Sequence, residues 1–143
     1  MKIDLDYMNA ILNTFIKSEC SLITFYDWKK DGLPFDAINK PIDEKFIFHI
    51  RLLVEEKMIS DANMNCTLPA IGVFTNVNGV GYFNNPRGMR LTQKGHDFAN
   101  VLGNNEVIEQ LKSKATDCTL DMIFDYGKKI LNTIVLERFS DYL

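Results

Sequence analysis

The side chains whose chemistry could support catalysis are two pairs of carboxylates. Asp27 and Asp31 lie four positions apart, and Glu55 and Glu56 are adjacent. Solvated acids on helices and loops are the usual interpretation of such pairs. The glycines of the GVGYF segment fall in a predicted hairpin, whereas a phosphate-binding loop lies between a strand and a helix. A nucleophile elbow and a Cys-His arrangement are also missing from the sequence. We therefore predict that the protein is not an enzyme.

Metal and disulfide chemistry are equally poorly supported. Neither His49 nor His96 has a second histidine or a cysteine three or four positions away that would complete a metal-binding face. Cys20, Cys66 and Cys118 are odd in number and far apart, which is typical of reduced, half-buried thiols. The sequence therefore predicts no metal and no cofactor.

The charges are unevenly distributed along the chain. The net charge is −3, but residues 62–96 carry three cations and no acid, while residues 1–61 and 97–143 each sum to −3. Such a segment can guide an acidic polymer to one face of an acidic protein, or it can simply be a polar, Asn-rich loop region. The candidate nucleic-acid-binding residues are Arg87, Arg90 and Lys94 of this segment, with Lys45 and Arg51 of a predicted long helix.

Several predicted elements must position these side chains. The first helix begins after Asp4 or Asp6 and ends near Lys17. Residues 21–28 are short and rich in β-branched and aromatic types, which predicts a strand or extended segment followed by a loop. The periodic run that follows Pro41 predicts a second core helix over about residues 43–58.

A β-rich region follows this helix. Residues 66–91 predict a two- or three-stranded antiparallel ribbon, with a two-residue hairpin turn at Asn78 and Gly79 and a second turn at residues 84–88. The strand pairing stays open. Thr92 then caps a helix that breaks at residues 103–105 and continues in a second piece over residues 106–114.

The last predicted helix, about residues 119–139, has the most regular apolar stripe in the chain. The stripe consists of Leu120, Phe124, Gly127, Leu131 and Ile134, continues at the same spacing to Arg138, and is widened by Ile123, Ile130 and Val135. Packing on the rest of the chain and formation of a homodimer both fit this pattern. We predict one domain over residues 1–114 and a C-terminal amphipathic helix over residues 115–143.

The order of these elements resembles winged-helix proteins. In that class an "L…E.GLI" helix ending precedes the wing and "LT..G" follows it. Here Leu53, Glu56, Met58 and Ile59 match the first pattern, with Lys57 in place of the usual glycine. The second pattern is matched by Leu91, Thr92 and Gly95, to which we assign structural roles. The resemblance implies an α+β, winged helix-turn-helix-like fold with a β-hairpin wing and additional C-terminal helices.

A narrower resemblance covers residues 1–114. The segments MKIDLDYMNAIL, HIRLLVEEKMI and LTQKGHDFANVL are similar to the bacterial and prophage family known as domain of unknown function 2513. That family supplies no activity, but the resemblance implies a bacterial or phage setting.

Two functions fit a non-enzymatic winged helix. The first is transcription-regulator-like binding of duplex DNA through a basic wing. The outward face of the long helix carries Glu55, Glu56 and two apolar residues, Phe48 and Leu52. Carboxylates repel phosphates, so this face argues against recognition of DNA bases by the long helix. The alternative is a protein-interaction module, such as a phage-encoded inhibitor or adaptor that has lost DNA binding.

That alternative uses two apolar surfaces. The candidate protein-interaction residues are Phe48, Leu52, Leu120, Phe124, Gly127, Leu131 and Ile134. The N-terminus has acids where a signal peptide would be apolar, and no apolar run is long enough to span a bilayer. We therefore expect a cytoplasmic protein with no membrane partner.

Overall fold

The computed structural model describes residues 1–33, 40–115 and 117–141 of the chain. Its helices are α1 (Leu5–Lys17), α2 (Phe25–Lys30), α3 (Glu44–Glu55), α4 (Gln93–Leu102), α5 (Asn105–Lys114) and α6 (Leu120–Ser140). Its strands are β1 (Ile59–Asp61), β2 (Val73–Thr75), β3 (Gly81–Phe83) and β4 (Met89–Leu91), and a 3₁₀ turn spans Pro69–Ile71. The α+β class is confirmed.

Side-chain caps fix where the long helices begin. The Asp4 carboxylate accepts the N–H of Tyr7 at 3.0 Å, and the Asp43 carboxylate accepts the N–H of Phe46 at 3.3 Å. Thr92 accepts the N–H of Gly95 at 3.2 Å in the same way. Each cap satisfies a backbone donor that the helix leaves free. The predicted starts of α1, α3 and α4 are therefore confirmed.

The prediction of a strand or extended segment over residues 21–28 is wrong for its second half. Residues from Phe25 onward form α2, because the Asp27 carboxylate accepts the N–H of Thr24 at 2.8 Å and stabilises the first turn. Trp28 is fully buried and its Nε1 donates to the Ile11 carbonyl at 3.0 Å. Extended pairing is limited to a bridge between Ile23 and Met89. The aromatic residues that suggested a strand are core residues of a short helix.

α3 ends three residues before the predicted boundary. The Met58 N–H donates to the Leu53 carbonyl at 2.9 Å and the Lys57 N–H to the Val54 carbonyl at 3.0 Å. This pair of bonds is a Schellman motif, which requires a left-handed residue after the helix. Lys57 takes that conformation, with φ of 57°. A lysine therefore occupies the position at which winged-helix sequences have glycine.

The strands form two separate antiparallel pairs. β1 pairs with β4, with Ser60 opposite Arg90, and β2 pairs with β3, with Phe74 opposite Tyr82. The β2–β3 hairpin is thus inserted between the two strands of the other pair. The two-residue turn predicted at Asn78 and Gly79 is wrong, because the Asn76 N–H donates to the Val80 carbonyl and encloses three residues. Gly79 alone of these three has a positive φ, 82°.

The core includes residues of α1, α3 and α4, and α6 packs on α4 and α5. Met8, Ile11, Phe46, Ile50 and Phe98 are fully buried. Gly95 permits the approach of α4 to the start of β1, since a Cβ there would overlap the Met58 carbonyl oxygen. The order of three helices, β1, hairpin, β4 and α4 is compatible with the expected winged-helix arrangement.

Candidate functional site

The outward face of α3 carries an apolar groove between two carboxylates. Phe48 and Leu52 lie half-buried on this face, and Glu44 and Glu55 are exposed at its two ends. An open groove of about 310 Å³ runs along it. The groove is lined by Met1, Glu44, Ile47, Phe48, Arg51, Leu52 and Glu55. We call it the α3 groove.

Arg51, which lines the α3 groove, also contacts the inserted hairpin. Arg51 Nη2 donates to the Gly79 carbonyl at 2.8 Å, so its guanidinium is held by the hairpin turn. Below the turn, Gly81 approaches the side chains of Ile47 and Ile42. Arg51 was a candidate nucleic-acid contact, but it is half-buried and fixes the hairpin against α3.

Lys45 is likewise engaged within the chain. Its Nζ lies 2.8 Å from Asp4 Oδ2 and 4.6 Å from the centre of the Tyr7 ring. The hydrogen bond from Lys45 is the largest cause that holds the pKa of Asp4 below its ordinary value. Lys45 therefore ties α3 to the N-terminus of α1 and is not a free cation for a phosphate.

Lys94 was also predicted to be a cation of the wing available to nucleic acid, but it is paired within the chain. It forms ion pairs with Glu56 at 2.9 Å and Asp121 at 3.3 Å, and it lies over the Phe124 ring. The hydrogen bond to Glu56 is the main reason that the pKa of Lys94 is raised. Residues 62–96 lack acids in sequence, but the fold brings acids from α3 and α6 to this lysine. Lys94 thus joins three helices.

The two arginines of this region differ in exposure. Arg90 is half-buried and its Nη1 donates to the Ser60 hydroxyl at 3.2 Å across the β1–β4 pair. Arg87 is exposed at the base of the hairpin, and its charge helps to lower the pKa of Asp61, which falls mainly because the Asn65 N–H donates to that carboxylate. Of the five candidate nucleic-acid contacts, Arg87 and Lys45 are exposed, and Lys45 is paired with Asp4.

The tip of the hairpin carries no charge. Residues 62–86 contain neither acids nor bases. The exposed side chains near the tip include Phe74 and Val77, of which Val77 is fully exposed. A wing that holds a phosphate backbone needs cations near its tip, and these residues offer apolar surface instead.

The predicted stripe of α6 is largely inside the molecule. Leu120, Phe124, Gly127 and Ile134 are buried, and Leu131 is half-buried. A Cβ at Gly127 would overlap the Val101 side chain, so α6 packs closely on α4 within one copy. The expectation that these residues form an interaction surface is therefore corrected: α4 and α5 cover them. Val135, which the stripe was also expected to include, is 40% exposed.

Sequence reasoning missed the exposed apolar residues beyond this packed region. Leu136 is 68% and Phe139 is 64% exposed near the C-terminal end of α6. Leu136 and Phe139 point away from the centre of the buried stripe by roughly a quarter of a turn or more, at about 100° per residue. That offset was the signal available in the sequence.

Three of the four carboxylates considered for catalysis, Asp27, Asp31 and Glu56, have structural partners. Asp27 caps α2, and Asp31 accepts the Thr14 hydroxyl at 2.6 Å and pairs with Lys17 at 3.0 Å. The Thr14 hydrogen bond is the main reason that the pKa of Asp31 is lowered. Glu56 pairs with Lys94, as described above. Across residues 1–33, 40–115 and 117–141, no three His, Cys, Asp or Glu side chains converge as metal ligands would.

Among the described residues, a helix with the length and apolar character needed to span a bilayer is not found.

Comparisons of the chain with protein-family models, curated proteins and solved structures give no match. The similarity to domain of unknown function 2513 accordingly stays a prediction.

Proposed function

We propose that this chain is a non-enzymatic winged-helix protein whose α3 groove binds a segment of another protein. The observation that carries the proposal is the position of Phe48 and Leu52 between the exposed carboxylates of Glu44 and Glu55. Half-buried apolar side chains in a preformed groove are typical of helix-in-groove recognition. The role matches that of an inhibitor or adaptor, and the three free cysteines fit a cytoplasmic setting.

The winged-helix assignment rests on the connectivity. Ile23, between α1 and α2, bridges to Met89 of β4, and β1 after α3 pairs with the same strand. In a winged helix, α3 occupies the position of the recognition helix. The proposed groove therefore uses the surface with which DNA-binding members of the class read bases.

The chemistry of the groove defines the partner segment. Glu44 and Glu55 are eleven positions apart, which is about 16 Å along a helix with a rise of about 1.5 Å per residue. Among the described residues, neither carboxylate forms an ion pair. A complementary segment has two apolar side chains flanked by cations at a similar separation, so the partner is a basic amphipathic helix.

Duplex DNA is the second candidate partner, and one observation favours it. Arg87 is exposed beside the hairpin, with Arg90 three positions further along the chain. Two or three phosphate contacts give binding that is weak and strongly dependent on salt. Because four of the five candidate cations are engaged within the chain, we place this function second.

A peptide-binding measurement tests the first proposal. The probe is a labelled helical peptide with two leucines four positions apart and lysines about eleven positions apart, compared with the same peptide carrying glutamate for lysine. We expect fluorescence anisotropy to show binding of the basic peptide only, and Glu44→Lys with Glu55→Lys to weaken it about tenfold. Equal binding of both peptides, or of neither, contradicts the proposal.

Matched controls separate the groove from general electrostatics. Glu106 occupies the first turn of α5 as Glu44 occupies the first turn of α3, so Glu106→Lys removes the same helix-dipole interaction elsewhere. Glu106→Lys should leave peptide binding unchanged. For DNA, anisotropy with a labelled duplex at ~50 mM salt should show no binding. Binding that Arg87→Ala weakens would favour the second candidate.

A further inference from the structure

A single line of side chains runs along the middle of the α3 groove. It consists of Glu44, Phe48, Arg51 and Glu55, which are spaced by four, three and four positions. At about 100° per residue, these spacings keep the four side chains within about 60° of one another around the helix axis. The groove therefore presents a carboxylate, an aromatic ring, a guanidinium and a second carboxylate in that order.

Arg51 is the one basic side chain among the described residues that line the α3 groove. It is half-buried and forms no ion pair with another described residue. Glu55 lies four positions further along α3, a spacing at which opposite charges on a helix can meet. The Arg51 guanidinium is instead held by the hairpin turn, where Nη2 donates to the Gly79 carbonyl at 2.8 Å.

This hydrogen bond orients the guanidinium without neutralising it. A guanidinium has five N–H donors in a planar fork, and one of them is used by the Gly79 carbonyl. A carbonyl oxygen is uncharged, so the positive charge of Arg51 is not compensated by this contact. The partner that such a fork binds best is a carboxylate, which can accept two parallel hydrogen bonds. The groove thus offers a position for one anion between its two acidic ends.

We propose that the helix that occupies the α3 groove carries an acidic side chain between its two basic ones, and that Arg51 binds this carboxylate. The inference rests on the proposed function of the groove and specifies the charge order of its partner as base, acid, base. Arg51 is seven positions from Glu44 and four from Glu55, about 10 Å and about 6 Å at about 1.5 Å per residue. Because these separations are unequal, the position of the acid determines the direction in which the partner helix lies.

Three peptides that differ at one position test the proposal. Each is the basic helical peptide described above, with glutamate, glutamine or lysine placed four positions before the second of its two flanking lysines. A second set carries the same three residues four positions after the first lysine. The net charge of the protein is −3, so general attraction would favour the lysine peptide and disfavour the glutamate peptide. We expect the opposite order in one set, with glutamate binding about tenfold more tightly than glutamine by fluorescence anisotropy.

Substitutions of Arg51 test whether this residue is the origin of the preference. Arg51→Gln keeps an amide donor for the Gly79 carbonyl and removes the charge, so the glutamate preference should be lost while the glutamine peptide still binds. Arg51→Glu should reverse the preference in favour of the lysine peptide. Arg87 is exposed and does not line the groove, so the matched control Arg87→Gln should keep the glutamate preference. Circular dichroism verifies that each variant folds.

The outcomes separate this inference from the proposed function. Equal binding of the glutamate and glutamine peptides in both sets overturns the inference but leaves the groove as a site for a basic helix. A glutamate preference that survives in Arg51→Gln also overturns it, since the carboxylate is then bound elsewhere. If no peptide of either set binds, the proposed function is wrong and the inference is wrong with it.

Discussion

The Nε2 atom of His49 accepts a hydrogen bond from the backbone N–H of Asp4 at 2.9 Å and joins α3 to the start of α1. Its Nδ1 lies 2.7 Å from the Lys45 carbonyl oxygen. Because Nε2 is an acceptor, Nδ1 carries the proton and the ring is neutral. His49 is fully buried, so α3 is anchored behind the groove by an uncharged imidazole.

This anchor makes stability depend on pH. Burial is the main cause that holds the pKa of His49 below its ordinary value of 6.5; the Asp4 carboxylate opposes the shift and the Lys45 ammonium adds to it. Below about pH 6.5 the unfolded chain takes up a proton that the folded chain resists, so the free energy of unfolding falls as the pH falls toward the folded pKa. Urea titrations at several pH values between about 5 and 7.5 measure this slope.

Two histidine variants isolate the effect. In His49→Gln the slope in this range should largely vanish, whatever the overall stability of the variant. His96 is exposed, so His96→Gln should keep the wild-type slope. If the slope survives in the first variant and disappears in the second, the anchor is wrongly assigned.

The left-handed residue at the end of α3 predicts a stabilising substitution. Lys57 has φ of 57°, which costs an L-amino acid about 1 kcal/mol relative to glycine. Lys57→Gly should therefore raise the free energy of unfolding by about 1 kcal/mol. Lys57→Ala keeps the strain and should not, which denaturant unfolding of the two variants would show. Equal effects of the two substitutions would argue against this helix end.

A buried hydroxyl predicts a second stabilising change. The Tyr7 hydroxyl is buried without a hydrogen-bond partner among the described residues, and burial is the main cause that raises its pKa to about 12. Tyr7→Phe removes this polar group and should stabilise the fold by about 1 kcal/mol. Tyr26 is 48% exposed, so Tyr26→Phe should leave the melting temperature unchanged. A lower melting temperature for Tyr7→Phe would mean that the hydroxyl is satisfied.

Lys94 should affect stability rather than DNA binding. Its ion pairs join Glu56 at the end of α3 to Asp121 on α6, and the lysine side chain is about one-third exposed. Lys94→Ala should lower the free energy of unfolding by up to about 1 kcal/mol at low salt and by less at high salt. The pair of Lys2 with Asp117 is far more exposed, so Lys2→Ala should have no measurable effect. Loss of DNA binding in Lys94→Ala without loss of stability would contradict this role.

Local signals predicted much of the secondary structure. Asp4, Asp43 and Thr92 are capping residues whose effect is confined to the first turn of a helix, so α1, α3 and α4 could be placed from sequence. α2 could not, because its aromatic residues are buried by tertiary packing that outweighs their strand preference. The length of the hairpin turn was wrongly predicted, because a two-residue turn of this type needs a positive φ at both Asn78 and Gly79. Only Gly79 takes the left-handed conformation.

The candidate site was harder to predict than the fold. Phe48 and Leu52 were identified from their positions on α3. Whether each candidate cation is free or paired, however, depends on residues that are distant in sequence. Lys94 meets Glu56 and Asp121 from segments 38 and 27 residues away in sequence. The net charge of a segment does not show which distant acids pair with its cations. The sequence therefore overestimated how many cations of residues 62–96 are free to contact nucleic acid.

The central claim is that the α3 groove binds a basic amphipathic helix, and ¹H–¹⁵N NMR titration of the labelled full chain with that peptide tests it most directly. We predict shift changes concentrated at Phe48, Arg51, Leu52 and the turn at Gly79 that Arg51 contacts, with little change at Arg87 and Arg90. No shift changes on peptide addition, together with changes at Arg87 and Arg90 on addition of a DNA duplex, would contradict the claim.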